Sequence, residues 1–185
     1  MPRVTSAVRP RVSTTQAAPS LSPVVGVLHT GGEFGVVALR DVEPGEVLMT
    51  IEGERVGKPS RTSVQVSERD HIDVPAAWTF EEVLARAPWR FLNHACAPTA
   101  WVRGREVVAL RRMARFDAVT FDYTTTEAAM ATPFVCRCGA CGGREIRGFV
   151  HLEADEQRRR LPHLAPWLRA RVEGPSPRVR GSRGG

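Results

Sequence analysis

The sequence predicts a mostly β fold, a β-rich α+β domain, on three observations: short apolar runs closed by Gly and Pro, one short capped helix, and a helical stretch confined to the C-terminal end. Residues 35–39 (GVVAL) are a short apolar run, and residues 46–54 alternate Val47, Met49 and Ile51 on one face, so both read as strands. Between them Pro44 and Gly45 take the central positions of a type II turn, which predicts that the two strands pair as a hairpin. Residues 64–66 add a short strand. Thr79-Phe80-Glu81-Glu82 has the form of a capping box, opening a short helix that Pro88 stops and that leads into Phe91. Residues 107–110 and 118–123 are two further strands. Residues 134–143, rich in Cys and Gly, hold too little apolar surface to fold without a staple. From 152 to 172 the chain turns helical, with breaks expected at Pro162 and Pro166 and a stop at Gly174.

A length of 185 residues supports one domain with a real core. No apolar run approaches the ~20 residues of a membrane span, so no membrane partner is expected. The net charge of +6 sits in the tails: Arg3, Arg9 and Arg11 before residue 21, and Arg178, Arg180 and Arg183 after residue 173, without acids beside them. The body between is formally neutral, which argues against a dedicated nucleic-acid face and leaves the tails a weak, salt-sensitive contact with polyanions. Residues 1–22 are rich in Arg, Ser and Thr like a transit peptide, but without an amphipathic pattern they read as a disordered extension; residues 174–185 read as a disordered basic tail. With no signal-peptide core, a cytoplasmic location with reduced thiols is expected.

The four cysteines fall in two places: Cys96 alone, and Cys136, Cys138 and Cys141 in a C-x-C-x2-C cluster. Clustered cysteines on a glycine-rich loop with a distant fourth suit a tetrahedral structural zinc; a redox pair or incidental thiols are the rival readings. A shared metal would clamp residues 134–143 against residues 93–96. His94 is left off the metal, as a core hydrogen-bonder.

Asn93-His94-Ala95-Cys96-Ala97-Pro98 resembles the asparagine-histidine-x-cysteine-x-proline signature of SET domains, and Thr120-Phe121-Asp122-Tyr123 resembles their strand ending in the catalytic tyrosine. The cysteine cluster followed by Ile146-Arg147-Gly148-Phe149 is similar to the family's post-SET zinc segment, and the stretch from Gly35 to Glu46 resembles its opening hairpin. The likeness covers about residues 25–150, its strongest part resembling short bacterial and plant-like members. It implies a SET-type fold of several small β-sheets with a knot-like crossing, the Asn93 segment threaded beside the Tyr123 segment, which is rare topology. The organisation it implies is a SET domain over 23–130, a post-SET segment over 131–150 and a C-terminal helical segment over 151–173.

The resemblance also implies a protein-lysine N-methyltransferase. S-adenosylmethionine and a lysine-bearing protein would enter from opposite faces, Tyr123 would be catalytic, and Phe121 would line the channel from the same strand face. Phe34, Gly35, Arg90, Phe91, Asn93 and His94 would hold the donor, with Cys96, Cys136, Cys138 and Cys141 on Zn2+. The chain departs from the pattern in places: Glu33-Phe34-Gly35 stands for Gly-x-Gly, Phe116-Asp117-Ala118 for Gly-Glu-Glu, and Thr99 for the Asn after the motif proline. The cysteine cluster is also shorter than the common C-x-C-x4-C. A second hypothesis follows, a divergent SET fold that no longer methylates lysine and serves as a binding protein or acts on a small molecule.

Overall fold

The structure is a computed structural model that describes residues 23–174; the expected extension over 1–22 and the tail beyond Gly174 lie outside them. In chain order the strands are β1 (Val25–Thr30), β2 (Glu33–Ala38), β3 (Val47–Thr50), β4 (Glu54–Val56), β5 (Val64–Gln65) and β6 (His71–Asp73). Helix α1 (Phe80–Arg86) and a 3-10 turn (Pro88–Phe91) follow, then β7 (Asn93–His94), β8 (Ala100–Arg103), β9 (Glu106–Ala109) and β10 (Ala118–Phe121). A 3-10 turn (Tyr123–Thr125), β11 (Phe134–Val135), β12 (Glu145–Ile146), α2 (Ala154–Arg159) and α3 (Pro166–Glu173) follow within the described residues. The strands form four small sheets, ordered β1-β2-β10-β7, β3-β9-β8, β4-β6-β5 and β11-β12. All pairings are antiparallel except β10 with β7, which run parallel with Thr120 opposite Asn93 and Phe121 opposite His94.

The hairpin expected across Pro44 is corrected. The turn forms, with the Glu46 N–H donating to the Glu43 carbonyl at 3.2 Å and Gly45 at φ 86°, but its flanking strands join different sheets. Here β3 is captured by β9, Gly45 N–H donating to Ala109 O and Ala109 N–H to Glu46 O, while β2 is flanked by β1 and β10. Turn chemistry fixes where a chain reverses; it does not choose the strand's partner. The expected face of Val47, Met49 and Ile51 is corrected too. Val47 is exposed, whereas Leu48 and Ile51 are buried, because the register against β9 slips between Val47 and Met49. A bulge of this kind inserts one residue and reverses the in–out phase.

The capping box forms as expected: Thr79 Oγ1 accepts the Glu82 N–H, and the Glu82 carboxylate accepts the Thr79 N–H. The strand expected over 118–123 stops at Phe121, because the Asp122 carboxylate accepts the Thr124 N–H and turns the chain into a 3-10 conformation. At the C-terminal end Pro162 falls in a 3-10 turn over Leu161–His163, Pro166 opens α3 and Gly174 closes it. The main core gathers Trp89, Ile51, Met113, Val36, Val107 and Val119, and Phe149, Leu164 and Leu168 form a second core under the C-terminal helices. The two are joined at the turn after β10. Ala165 N–H donates to Thr125 O at 2.9 Å, and Arg160 Nε donates to Asp122 Oδ2 and Thr124 Oγ1, both at 2.8 Å. Among the described residues no helix is long and apolar enough to cross a membrane.

Candidate active site and metal centre

The site is built where the first sheet splits. Strand β10 pairs with β2 only at Val36 and Val37 and then continues against β7, so the β2 edge at Phe34 and Gly35 is left without a strand partner on that side. Asn93 spans the gap, its side-chain amide donating to the Phe34 carbonyl at 2.9 Å. A Cβ on Gly35 would stand 3.3 Å from the Asn93 amide nitrogen, so glycine lets the two segments approach. The Phe34 ring packs 4.3 Å from His29, 5.5 Å from Phe80 and 5.3 Å from Phe91, forming an aromatic rim beside this notch. Arg90 is spent on the fold, its Nη1 lying 2.5 Å from Asp73 Oδ1. Glu33 is exposed at the tip of the β1–β2 hairpin, after a Gly31-Gly32 turn at φ 61° and 82°.

Tyr123 leaves the end of β10 and turns back under β7. Its hydroxyl donates to the Leu92 carbonyl at 2.5 Å, and its ring lies 4.8 Å from Phe121, 5.3 Å from His94 and 5.9 Å from Phe134. Burial, with Glu127 nearby, pushes its phenol above the ordinary tyrosine range, so it keeps its proton at neutral pH. Phe121 is almost fully buried in the main core and meets the site through its contact with the Tyr123 ring. The His94 side chain is buried, and burial lowers its pKa, giving a neutral ring. Its Nδ1 accepts the Tyr123 N–H at 3.2 Å, which puts its own proton on Nε2, 3.3 Å from the Cys96 sulfur. A ring so oriented donates to that sulfur rather than competing for a metal.

Phe134 and the Leu92 carbonyl escaped the sequence reading. The only signal for Phe134 was its place two residues before Cys136; the carbonyl of Leu92 had none, since backbone groups carry no sequence signature.

Cys96 and the three clustered cysteines, all unpaired thiols, bring their sulfurs within 4.8 Å of one another. Cys96 lies 3.9 Å from Cys136, and Cys138 lies 4.0 Å from Cys141. Zinc–sulfur bonds of about 2.3 Å in a tetrahedron require sulfurs about 3.8 Å apart, so the set fits a structural zinc despite the shortened cluster. Backbone donors act on two of the thiols: N–H groups of Cys96 and Ala140 draw Cys138 down to about 6, and those of Arg144 and Gly143 lower Cys141. Burial raises Cys96 and Cys136, an effect that a bound cation would reverse.

Small sheets around a parallel crossing, a half-buried tyrosine at a strand end and a cluster of four cysteines define the class. Residues 31–124 match the SET domain family model, half of the chain, and the chain belongs to the SET domain family. Among solved structures it is similar to KRYPTONITE in complex with mCHG DNA and SAH, with TM-score 0.50 and 18% identity over 65% of this chain and 28% of that one. It is also similar to KRYPTONITE with mCHH DNA, H3(1-15) peptide and SAH, with TM-score 0.48 and 18% identity over 65% of this chain and 29% of that one. The chain thus spans less than a third of these structures' length. No curated protein sequence matches it.

Proposed function

We propose that this protein is an S-adenosylmethionine-dependent methyltransferase acting on a protein lysine, with one structural zinc. The observation that carries the reading is the meeting of three separate segments at one junction: the open β2 edge at Phe34 and Gly35, the Asn93–His94 strand, and Tyr123 hydrogen-bonded to Leu92. The donor supplies an electrophilic methyl group on a sulfonium. The notch suits such a molecule because a strand edge without a strand partner lies beside an aromatic rim, a combination that suits a nucleoside with a charged amino-acid tail. Phe34, Gly35, Asn93 and His94 would hold it largely through backbone, with Phe91 in the rim and Arg90 fixing the preceding turn.

An attacking lysine must arrive neutral, although its free pKa is about 10.4. The rings of Tyr123, Phe121 and Phe134 pack together, and an amine brought against them would be favoured in its uncharged form by desolvation. Because the Tyr123 hydroxyl proton is committed to Leu92, its oxygen lone pairs remain to accept from the amine and fix its direction of attack. Calorimetric titration of zinc-loaded protein with S-adenosylmethionine and S-adenosylhomocysteine tests the reading. Saturable binding to both, lost in Asn93→Ala, is expected. A folded, zinc-loaded protein that binds neither would overturn the reading in favour of a fold given to another ligand.

A further inference from the structure

Arg144, between the cysteine cluster and β12, touches the metal centre by more than one route. Its carbonyl accepts the Cys136 N–H at 2.9 Å, and its own N–H points to the Cys141 sulfur. Arg144 shares with Cys96, Cys141, Glu156, Arg160 and Trp101 the wall of a cavity of about 480 Å³. Nη1 is ion-paired with Glu156 on α2, but Nη2 is buried and has no hydrogen-bond partner. A buried donor left unpaired is costly, by about 1–3 kcal/mol, so it calls for an acceptor. Neutral thiols are poor acceptors. Four thiolates on a divalent zinc carry a net double negative charge, and sulfurs in that state are good ones.

Resting on the zinc reading above, we propose that Arg144 is the outer partner of the metal centre: its Nη2 donates to the metal-bound thiolates facing the cavity, and its Nη1 pair with Glu156 ties metal loading to the docking of α2. An external anion fits the cavity less well. Arg160 is already spent on Asp122 and Thr124, Arg159 lies 4.0 Å from Glu156, and the metal-loaded thiolates would add negative charge to the same wall. Arg144 is thus a positioning residue for the zinc, and through α2 it reaches Arg160, which holds the turn carrying Tyr123.

The test is zinc competition against a chromogenic chelator with the full chain, comparing wild type, Arg144→Gln and Arg144→Lys. Arg144→Gln is expected to weaken zinc binding by about tenfold or more, the usual effect of losing an outer-shell partner, and Arg144→Lys to restore part of the loss. With cobalt in place of zinc, loss of a hydrogen bond to thiolate should move the sulfur-to-metal charge-transfer band to longer wavelength in both variants, more in Gln than in Lys. This readout a merely structural arginine would not move, and it serves with Arg144→Lys alone should the Gln variant fail to fold. Zinc affinity within twofold of wild type in Arg144→Gln, or an unshifted band, overturns the proposal while leaving the zinc reading intact. A wild-type protein that takes up no zinc overturns both. Inorganic phosphate that stabilises wild type but not Arg144→Gln, with zinc affinity unchanged, would make Arg144 an anion ligand and also overturn it.

Discussion

Tyr123 is held in one protonation state by its surroundings. Its phenol is held protonated by burial, its proton is given to Leu92, and the rings of Phe121, His94 and Phe134 surround it. Tyr123→Phe keeps the ring packing and removes only the oxygen, so donor affinity should stay within about twofold while methyl transfer falls by at least about a hundredfold, roughly 3 kcal/mol in the transition state. Single-turnover transfer to a substrate peptide pool, alongside calorimetric donor binding, separates the two; transfer at the wild-type rate would remove Tyr123 from the mechanism. At this scale the sequence was largely readable. Asn93, Cys96, the cysteine cluster and Tyr123 carry chemistry in their side chains and stand in a recognisable order. Phe134 contributes only a ring, and Leu92 only a carbonyl, and neither kind of contribution leaves a mark in a single chain.

Among the elements, the C-terminal helices lie outside the family match yet are bolted to the turn that carries Tyr123 through Arg160 and Ala165. Leu168 is fully buried between Phe149 and Leu164, in the core that seats them. Leu168→Ala should therefore destabilise the whole domain by about 3 kcal/mol, a cost typical of truncating a buried leucine. Urea unfolding followed by tryptophan fluorescence should show one cooperative transition moved to lower denaturant, whereas two separated transitions would mean that the helices fold independently. These helices were legible, because Pro162, Pro166 and Gly174 punctuate them locally. The strand partners were not. The bulge after Val47 and the capture of β3 by β9 depend on residues some sixty positions apart, and β7 and β11 are two-residue strands too short for any periodicity. The parallel pairing that builds the site came only with the family resemblance.

Across the whole molecule the four-cysteine cluster and the turn that carries Tyr123 form one assembly. The sulfur of Cys96 receives His94 Nε2, the other nitrogen of that ring receives the Tyr123 N–H, and Phe134, carried by the strand that runs into the cysteine cluster, leans on both rings. Loss of the metal should thus reach the chemistry as well as the loop. The opposite shifts of the thiols sharpen this: half-buried Cys96 and buried Cys136 resist ionisation, so without a cation to hold them as thiolates the tetrad has little to keep its sulfurs together. Cys138→Ser removes a ligand that backbone N–H groups hold ready as thiolate, near the surface of the cluster and away from the main core. Zinc content should fall from one equivalent to a small fraction, protease cleavage should open within residues 134–146, and donor binding should weaken by about tenfold or more as Phe134 leaves the site. Metal analysis, limited proteolysis and calorimetry on the same preparation read the three effects. Full zinc content in Cys138→Ser would sink the four-thiolate centre; lost zinc with unchanged donor binding would show that the cluster only staples the chain and that the notch between β2 and β7 stands without it.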